Sequence, residues 1–311
     1  MSIVRRVGAG AVVVWAVFTV VFAILRVLPG DPVALAANAD SGGAPPSPAT
    51  IAALRAQYRL DDPLWRQYLA TLGDLVTGHW GTSLVTGQPV TTTLWQALPS
   101  TAALAGLALA IGIPAAFGIA FAATLRPRSR TARLLSTAPS LLVSIPTFAI
   151  GLFLLQVFAF TLHLVPGFGD RSPQAAILPA ITLAVPITGY LAQVLAAGMR
   201  DAAAAPYVDV ARAKGLPDVA VHLRHVARAA ALPAFSACGV LVGSALAGAV
   251  VVETVFSRSG VGRLTQQAVA AHDGPVLLAA VVGSAVIFVF LTLAVDVLGP
   301  LLDPRAREQI S

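Results

Sequence analysis

Residues 207–233 read YVDVARAKGLPDVAVHLRHVARAAALP, and the reading of this stretch decides the fold. Arg212, Lys214, Arg224, Arg228, His222, His225, Asp209 and Asp218 crowd together here between long apolar runs. Gly215-Leu216-Pro217 divides the stretch into two short helices. The first, about 206–214, ends at Lys214-Gly215, and glycine is the common C-terminal stop of a helix. Pro217 suits the first turn of the second helix, and Asp218 beside it is favoured by the helix dipole. Arg224, His225 and Arg228 fall toward the other end, where cations are favoured. Val219, His222, Leu223 and Val226 trace a less polar face, and Pro233 opens the next apolar run. Two physical roles compete for such a hairpin. It lies flat on anionic lipid, or its turn docks into a groove on a cytoplasmic partner. His222 and His225, three apart, form half a metal site that no nearby carboxylate or cysteine completes.

The composition outside this stretch places it at a membrane. The chain has 311 residues, of which 57% are hydrophobic and 11% charged, and its mean hydropathy is +0.82. Soluble domains carry about 25% charged residues, so this is an integral membrane protein. The pI of 10.4 reflects positive charge in short loops beside apolar runs, which the positive-inside rule explains without nucleic acid. The one cysteine, Cys238, excludes an internal disulfide and a Cys-based metal site. Arg5 and Arg6 precede an apolar run from Val7 to Leu28, and Ala34-Leu35-Ala36 resembles a signal-peptidase site. A cleavable apolar region spans about 7–15 residues; this run is longer and reads as an uncleaved first span.

A helical span needs about 20 apolar residues. Six segments qualify: 7–28, 99–124, 134–163, 177–198, 232–256 and 276–299. With the N-terminus inside, the inner segments hold thirteen of the 20 lysines and arginines, including the compact cluster Arg126, Arg128, Arg130 and Arg133. The expectation is therefore an all-α polytopic membrane protein with six transmembrane helices and both termini cytoplasmic. The domain plan is a first helix (1–28), a long extracytoplasmic loop (29–93), a core (94–299) holding the charged loop 199–231, and a cytoplasmic tail (300–311). In the long loop, Pro48–Tyr58 and Pro63–Leu75 read as short amphipathic helices. Trp65, Trp80 and Trp95 favour folding against the membrane surface.

The hairpin resembles the EAA-loop signature of ABC importer permeases, most closely the oligopeptide/dipeptide/nickel permease family. The matching residues are Tyr207-Val208, Ala211-Arg212-Ala213-Lys214-Gly215-Leu216, His225 and Leu232-Pro233. Further pieces resemble the family along nearly the whole chain. They are Leu28-Pro29-Gly30-Asp31-Pro32, Leu60-Asp61-Asp62-Pro63, Gly81-Thr82-Ser83, Glu253-Thr254-Val255-Phe256, Gly260-Val261-Gly262, Asp273-Gly274-Pro275 and Leu302-Asp303-Pro304-Arg305. The long first outer loop is similar to that of the B-type subunit. Asp209 stands where relatives often carry Arg, and Pro206 where they often carry an acid.

The resemblance implies a type I ABC importer permease fold and a permease subunit that moves di- or oligopeptides across the cytoplasmic membrane of a bacterium. It implies a second homologous permease, two ATP-binding subunits and an extracytoplasmic substrate-binding protein as partners, with membrane lipid around the chain and no nucleic acid. It implies that ATP and Mg bind the partner ATPases while this chain binds no cofactor and no metal. The coupling contact would then comprise Tyr207, Asp209, Ala211, Arg212, Lys214, Gly215, Leu216 and His225. No catalytic residue is expected: Walker A, His-Glu-x-x-His and Gly-x-Ser-x-Gly patterns are all missing. Polar groups inside a membrane are functional suspects, which makes Gln156, His163, Gln193 and Glu253 the candidate substrate path; Asp296 is a further suspect, near the end of the sixth segment. Gly239, Gly243 and Ala247 fit a close helix seam. Two other cargoes or engines are compatible with the sequence: the same machinery carrying nickel–chelator complexes or other small solutes, and a secondary transporter without an ATPase.

Overall fold

The computed structural model describes residues 3–27, 52, 55, 59, 61–170 and 172–302. Every regular element among them is helical, with one isolated antiparallel bridge between Thr82 and Pro89. Of the helix expected at 48–58 only residues 52 and 55 are described; the Leu28–Pro32 motif and the ending from Asp303 lie outside the described residues. In chain order the helices are α1 (Ile3–Val27), α2 (Leu64–Val76), α3 (Val90–Leu125), α4 (Arg130–Ser144), α5 (Thr147–Leu154, continued by a π-helical segment Leu155–Thr161), α6 (Ile177–Ala203), α7 (Pro206–Ala213), α8 (Asp218–Val221), α9 (Ala227–Ser236), α10 (Cys238–Val255), α11 (Val261–Ala270) and α12 (Gly274–Leu302). A wide π turn, His222–Val226, joins α8 to α9.

Four described helical segments are long and apolar enough to cross a membrane: Val4–Val27, Val90–Leu125, Pro173–Ala203 and Gly274–Val295. Much of their apolar surface points away from protein. Val12, Trp15, Val20 and Ile24 of α1 are more than half exposed, as a lipid-facing helix requires. The third expected span, 134–163, is not one rod. α4 and α5 meet at a 98° bend. Pro146 has no N–H to continue the helix and forces its predecessor out of the helical region; Ile145 is accordingly extended, at φ −82° and ψ 126°. Counted as one bent crossing, the pair brings the total to five. The expected span 232–256 is divided between α9 and α10, whose apolar portion Leu241–Val255 is shorter than a full crossing.

The described chain divides into two compact units. In the first, formed by 102–258 and the chain from Phe290, α6 is the central element and packs against α4, α5, α9 and α10. Leu183, Ile187, Leu191, Leu195 and Met199 line its buried side. Gly189 permits the closest approach: a Cβ there would lie 2.8 Å from the Pro139 carbonyl oxygen and 2.8 Å from Val143 Cγ2 on α4. Gly239 of the expected small-residue seam faces Thr292 of α12, whose Cγ2 would be 3.6 Å from an added Cβ.

The second unit comprises the described residues to Thr101 and 259–289. There α2 is pinned on α1 by an aromatic cluster of Phe18, Phe22 and Tyr68 and by a 2.8 Å hydrogen bond between Tyr68 Oη and Thr19 Oγ1. The Thr19 hydroxyl donates to Trp15 O, so the tyrosine hydroxyl supplies the shared proton. Asp273 caps α12, accepting from Val276 N at 3.4 Å. Its carboxylate also accepts from Ser83 Oγ at 2.5 Å and Leu84 N at 3.2 Å. Two resembling motifs 190 residues apart in sequence, Gly81-Thr82-Ser83 and Asp273-Gly274-Pro275, thus form one buried hydrogen-bonded joint.

Candidate functional site

The hairpin grows directly from the end of α6. Ala205 is extended, at φ −78° and ψ 142°, and Pro206 takes the first helical position of α7. Val208 and Ala211 turn into the core, while Tyr207, Asp209, Val210 and Arg212 face outward. At the turn, Lys214 N donates to Val210 O at 3.1 Å and Gly215 N to Arg212 O at 2.9 Å. Gly215 sits at φ +81°, a left-handed conformation that glycine adopts without the Cβ penalty. Leu216 then folds back against the core, and Pro217, at φ −65° and ψ 147°, begins α8. Arg212 spans the two limbs, reaching Asp209 with Nη1 and Asp218 with Nε, each at 3.5 Å. These groups are half or more exposed, so the pairs add at most about 1 kcal/mol and mainly fix geometry.

The outer surface of the hairpin carries apolar side chains that a solvated loop does not need. Tyr207 is 46% exposed, Val210 55%, Val219 53% and Leu223 51%. Lys214 and Gly215 are exposed between them, and His225 is half-buried farther along. Of the eight residues expected at a coupling contact, five are exposed, Leu216 and His225 are partly covered, and Ala211 lies on the buried side of α7.

Under this surface the second limb is anchored. Val221, His222, Val226 and Ala227 are all buried. His222 Nε2 lies 2.7 Å from Thr124 Oγ1, at the end of α3. The Thr124 hydroxyl also lies 2.8 Å from Ala120 O. Phe121 meets the imidazole edge-on, with centroids 5.0 Å apart. Burial, and then the charge of Arg212, lower the His222 pKa from its ordinary 6.5, with Asp218 opposing. Sequence periodicity placed His222 on a less polar face but held no sign of Thr124, 98 residues away.

The candidate path residues are scattered. Gln156 on the π segment after α5, Gln193 on α6 and His163 are exposed; His163, at φ +51°, leads out of that segment. Glu253 is fully enclosed. Near it, buried Arg258 pairs with Asp170 at 2.9 Å, its N–H donates to Glu253 O at 2.8 Å, and Gly169 N donates to Phe256 O at 3.0 Å. This joint between the 162–170 loop and the end of α10 had no local signal in the sequence. Among the described residues no group of three or more His, Cys, Asp or Glu could hold a metal ion.

Comparison with known proteins places this arrangement. Residues 108–308 match the family model described as "Binding-protein-dependent transport system inner membrane component", and residues 1–105 match the model of its N-terminal portion. The dipeptide transport system permease protein DppB of Lactococcus lactis subsp. cremoris is 30% identical over 306 residues, 98% of each chain. The glutathione transport system permease protein GsiC of Salmonella typhimurium is 34% identical over 300 residues, 94% of each chain. A solved amino acid ABC transporter, crystallised with histidines, aligns at a TM-score of 0.51 with 18% identity. It covers 69% of this chain and 94% of that one.

Proposed function

We propose a function from one premise: the chain belongs to the family of binding-protein-dependent transport system inner membrane components. It is a multi-pass transport subunit of the inner membrane. Its cargo is short peptides. The relatives named for dipeptide, glutathione and peptide transport support this reading, glutathione being itself a small peptide. It works with a second permease, two ATP-binding subunits that hold ATP and Mg, and an extracytoplasmic binding protein. Six crossings, with both termini and the hairpin on the cytoplasmic side, complete the reading. The run of Arg126, Arg128, Arg130 and Arg133 supports that orientation.

The observation that carries the proposal is the hairpin itself. Exposed Tyr207, Val210, Val219 and Leu223 lie on either side of a glycine turn whose second limb is buried at Val221, His222 and Val226. That is the construction a partner protein can push on. Closure of the ATPase pair on ATP displaces the hairpin, and the helices rooted in it tilt to open the path outward. Gln156, His163 and Gln193 are assigned to the cargo path, and Glu253 is reached only when helices separate.

The test uses the chain purified with its companion subunits and reconstituted in proteoliposomes. Val219→Cys is expected to cross-link to a cysteine placed on the ATPase, and ATP is expected to drive uptake of labelled dialanine or glutathione supplied with the binding protein. Absence of an ATPase from the purified complex, or of any cross-link from the hairpin, overturns the coupling role. Uptake of neither peptide by an actively hydrolysing complex overturns the cargo.

A further inference from the structure

The hairpin is joined by backbone to α6 and α9, so displacing it moves both. α3 has no such connection; its end lies 98 residues from His222 in sequence. It is a continuous helix from Val90 to Leu125. The question is what grips that end.

The buried contact described above answers it. His222 is 4% exposed and Thr124 7% exposed. The 2.7 Å bond between them is shielded by Phe121, and the Thr124 hydroxyl also touches Met199 Sδ of α6 at 3.4 Å. One hydroxyl therefore sits where α3, α6 and the hairpin meet. The π turn His222–Val226 has a wider repeat than an α-helix, and it starts at the residue that makes the bond. Single π turns inside helices often mark functional positions. The bond also has few alternatives: buried away from water, neither group has solvent to replace the other. We infer that His222 and Thr124, backed by Phe121, are positioning residues that make α3 follow the hairpin during transport. The inference rests on the coupling role proposed for the hairpin, and assigns the contact that passes its motion to a helix it is not joined to.

The experiment follows distances in the complete reconstituted transporter, with Cys238 replaced by alanine. Spin labels on Val219→Cys and Arg128→Cys, just past α3, report whether the hairpin and α3 move together between the nucleotide-free and the ATP–vanadate-trapped states. A third label on the ATPase, paired with Val219→Cys, reports the hairpin contact independently. In the parent protein the 128–219 distance is expected to stay single and unchanged between the two states. Thr124→Ser, which keeps the hydroxyl, is expected to behave the same. In Thr124→Val and His222→Gln a second, nucleotide-dependent distance is expected to be populated about tenfold more, the effect of removing one buried hydrogen bond from a two-state balance. A purely structural role would lower the yield of assembled complex and leave the distance in surviving complexes fixed. A fixed distance in both variants, or a nucleotide-dependent one already in the parent protein, overturns the inference and leaves the coupling role standing. A hairpin label that never approaches the ATPase overturns both.

Discussion

Removing the Asp273 carboxylate is expected to loosen the joint that holds the 81–89 turn to the start of α12. In Asp273→Ala three acceptor contacts disappear: Ser83 Oγ at 2.5 Å, Leu84 N at 3.2 Å and Val276 N at 3.4 Å. The short bond to a buried carboxylate is worth about 1.5–3 kcal/mol. The lost helix cap adds about 1 kcal/mol, and the longer contact to Leu84 adds less. The loss is about 3–4 kcal/mol. Ser83 cannot compensate by turning, because its lone pairs already accept from Val85 N and Thr86 N and its proton is left without a partner. Asp273→Asn separates the contributions. Its carbonyl oxygen preserves the cap, its amide cannot accept from Ser83, and the loss should be about 2 kcal/mol. Equilibrium unfolding of the detergent-solubilised protein measures both values. A double-mutant cycle with Ser83→Ala should give a coupling energy of about 1 kcal/mol or more. An Asp273→Ala protein within about 0.5 kcal/mol of the parent, or alanine and asparagine variants of equal stability, would refute the reasoning.

Three further outcomes are expected. Gly189→Ala should destabilise the first unit by about 1–3 kcal/mol, because the new Cβ would meet the Pro139 carbonyl at 2.8 Å and backbone cannot step aside. A thermal scan showing no loss would mean α4 and α6 stand farther apart. Acidification should weaken the hairpin through His222. Its folded-state pKa lies below the ordinary 6.5, so the unfolded chain takes the proton first. Stability then falls as pH drops through 6.5 and levels off once the folded-state pKa is passed. The parent minus His222→Gln difference, followed from about pH 7.5 to 5, should show that slope; a flat difference contradicts it. Gly215→Pro, at φ +81°, should abolish uptake while the protein still inserts in the membrane, since proline fixes φ near −65°. Normal uptake by a well-expressed variant would remove the hairpin from the mechanism.

The parts legible in the sequence are those that local chemistry decides. The turn follows from Gly215 and Pro217, each of which restricts its own backbone, and the structure ends α7 and begins α8 around them; the expected boundary at Pro233 is absent, because α9 runs through that proline to Ser236. α2 likewise starts after Pro63. The break at Ile145-Pro146 was not legible as a break, because proline inside an apolar run is also compatible with a continuous membrane helix. The choice is made by packing. The joints were invisible for a different reason. Thr124 with His222, Ser83 with Asp273 and Asp170 with Arg258 are single polar groups from distant segments, and no periodicity records which partner each will meet. The motif pieces around Ser83 and Asp273 were recognisable as a pattern, but their joint is a fact of the folded chain alone. For Glu253 the type of residue was informative and its setting was not: its full burial emerges only in the folded chain.

The Tyr68–Thr19 hydrogen bond fixes more than a loop. Each residue step along an α-helix turns the side chains by about 100°, so a one-residue slip or rotation of α1 would carry Thr19 away from the phenol. It would also pull Phe18 and Phe22 out from under the Tyr68 ring. α1 is thereby indexed, with one azimuth and one depth against α2. A transporter needs stationary posts as well as moving beams. A first helix keyed to α2 by a hydroxyl and two phenyl rings moves together with α2 or not at all.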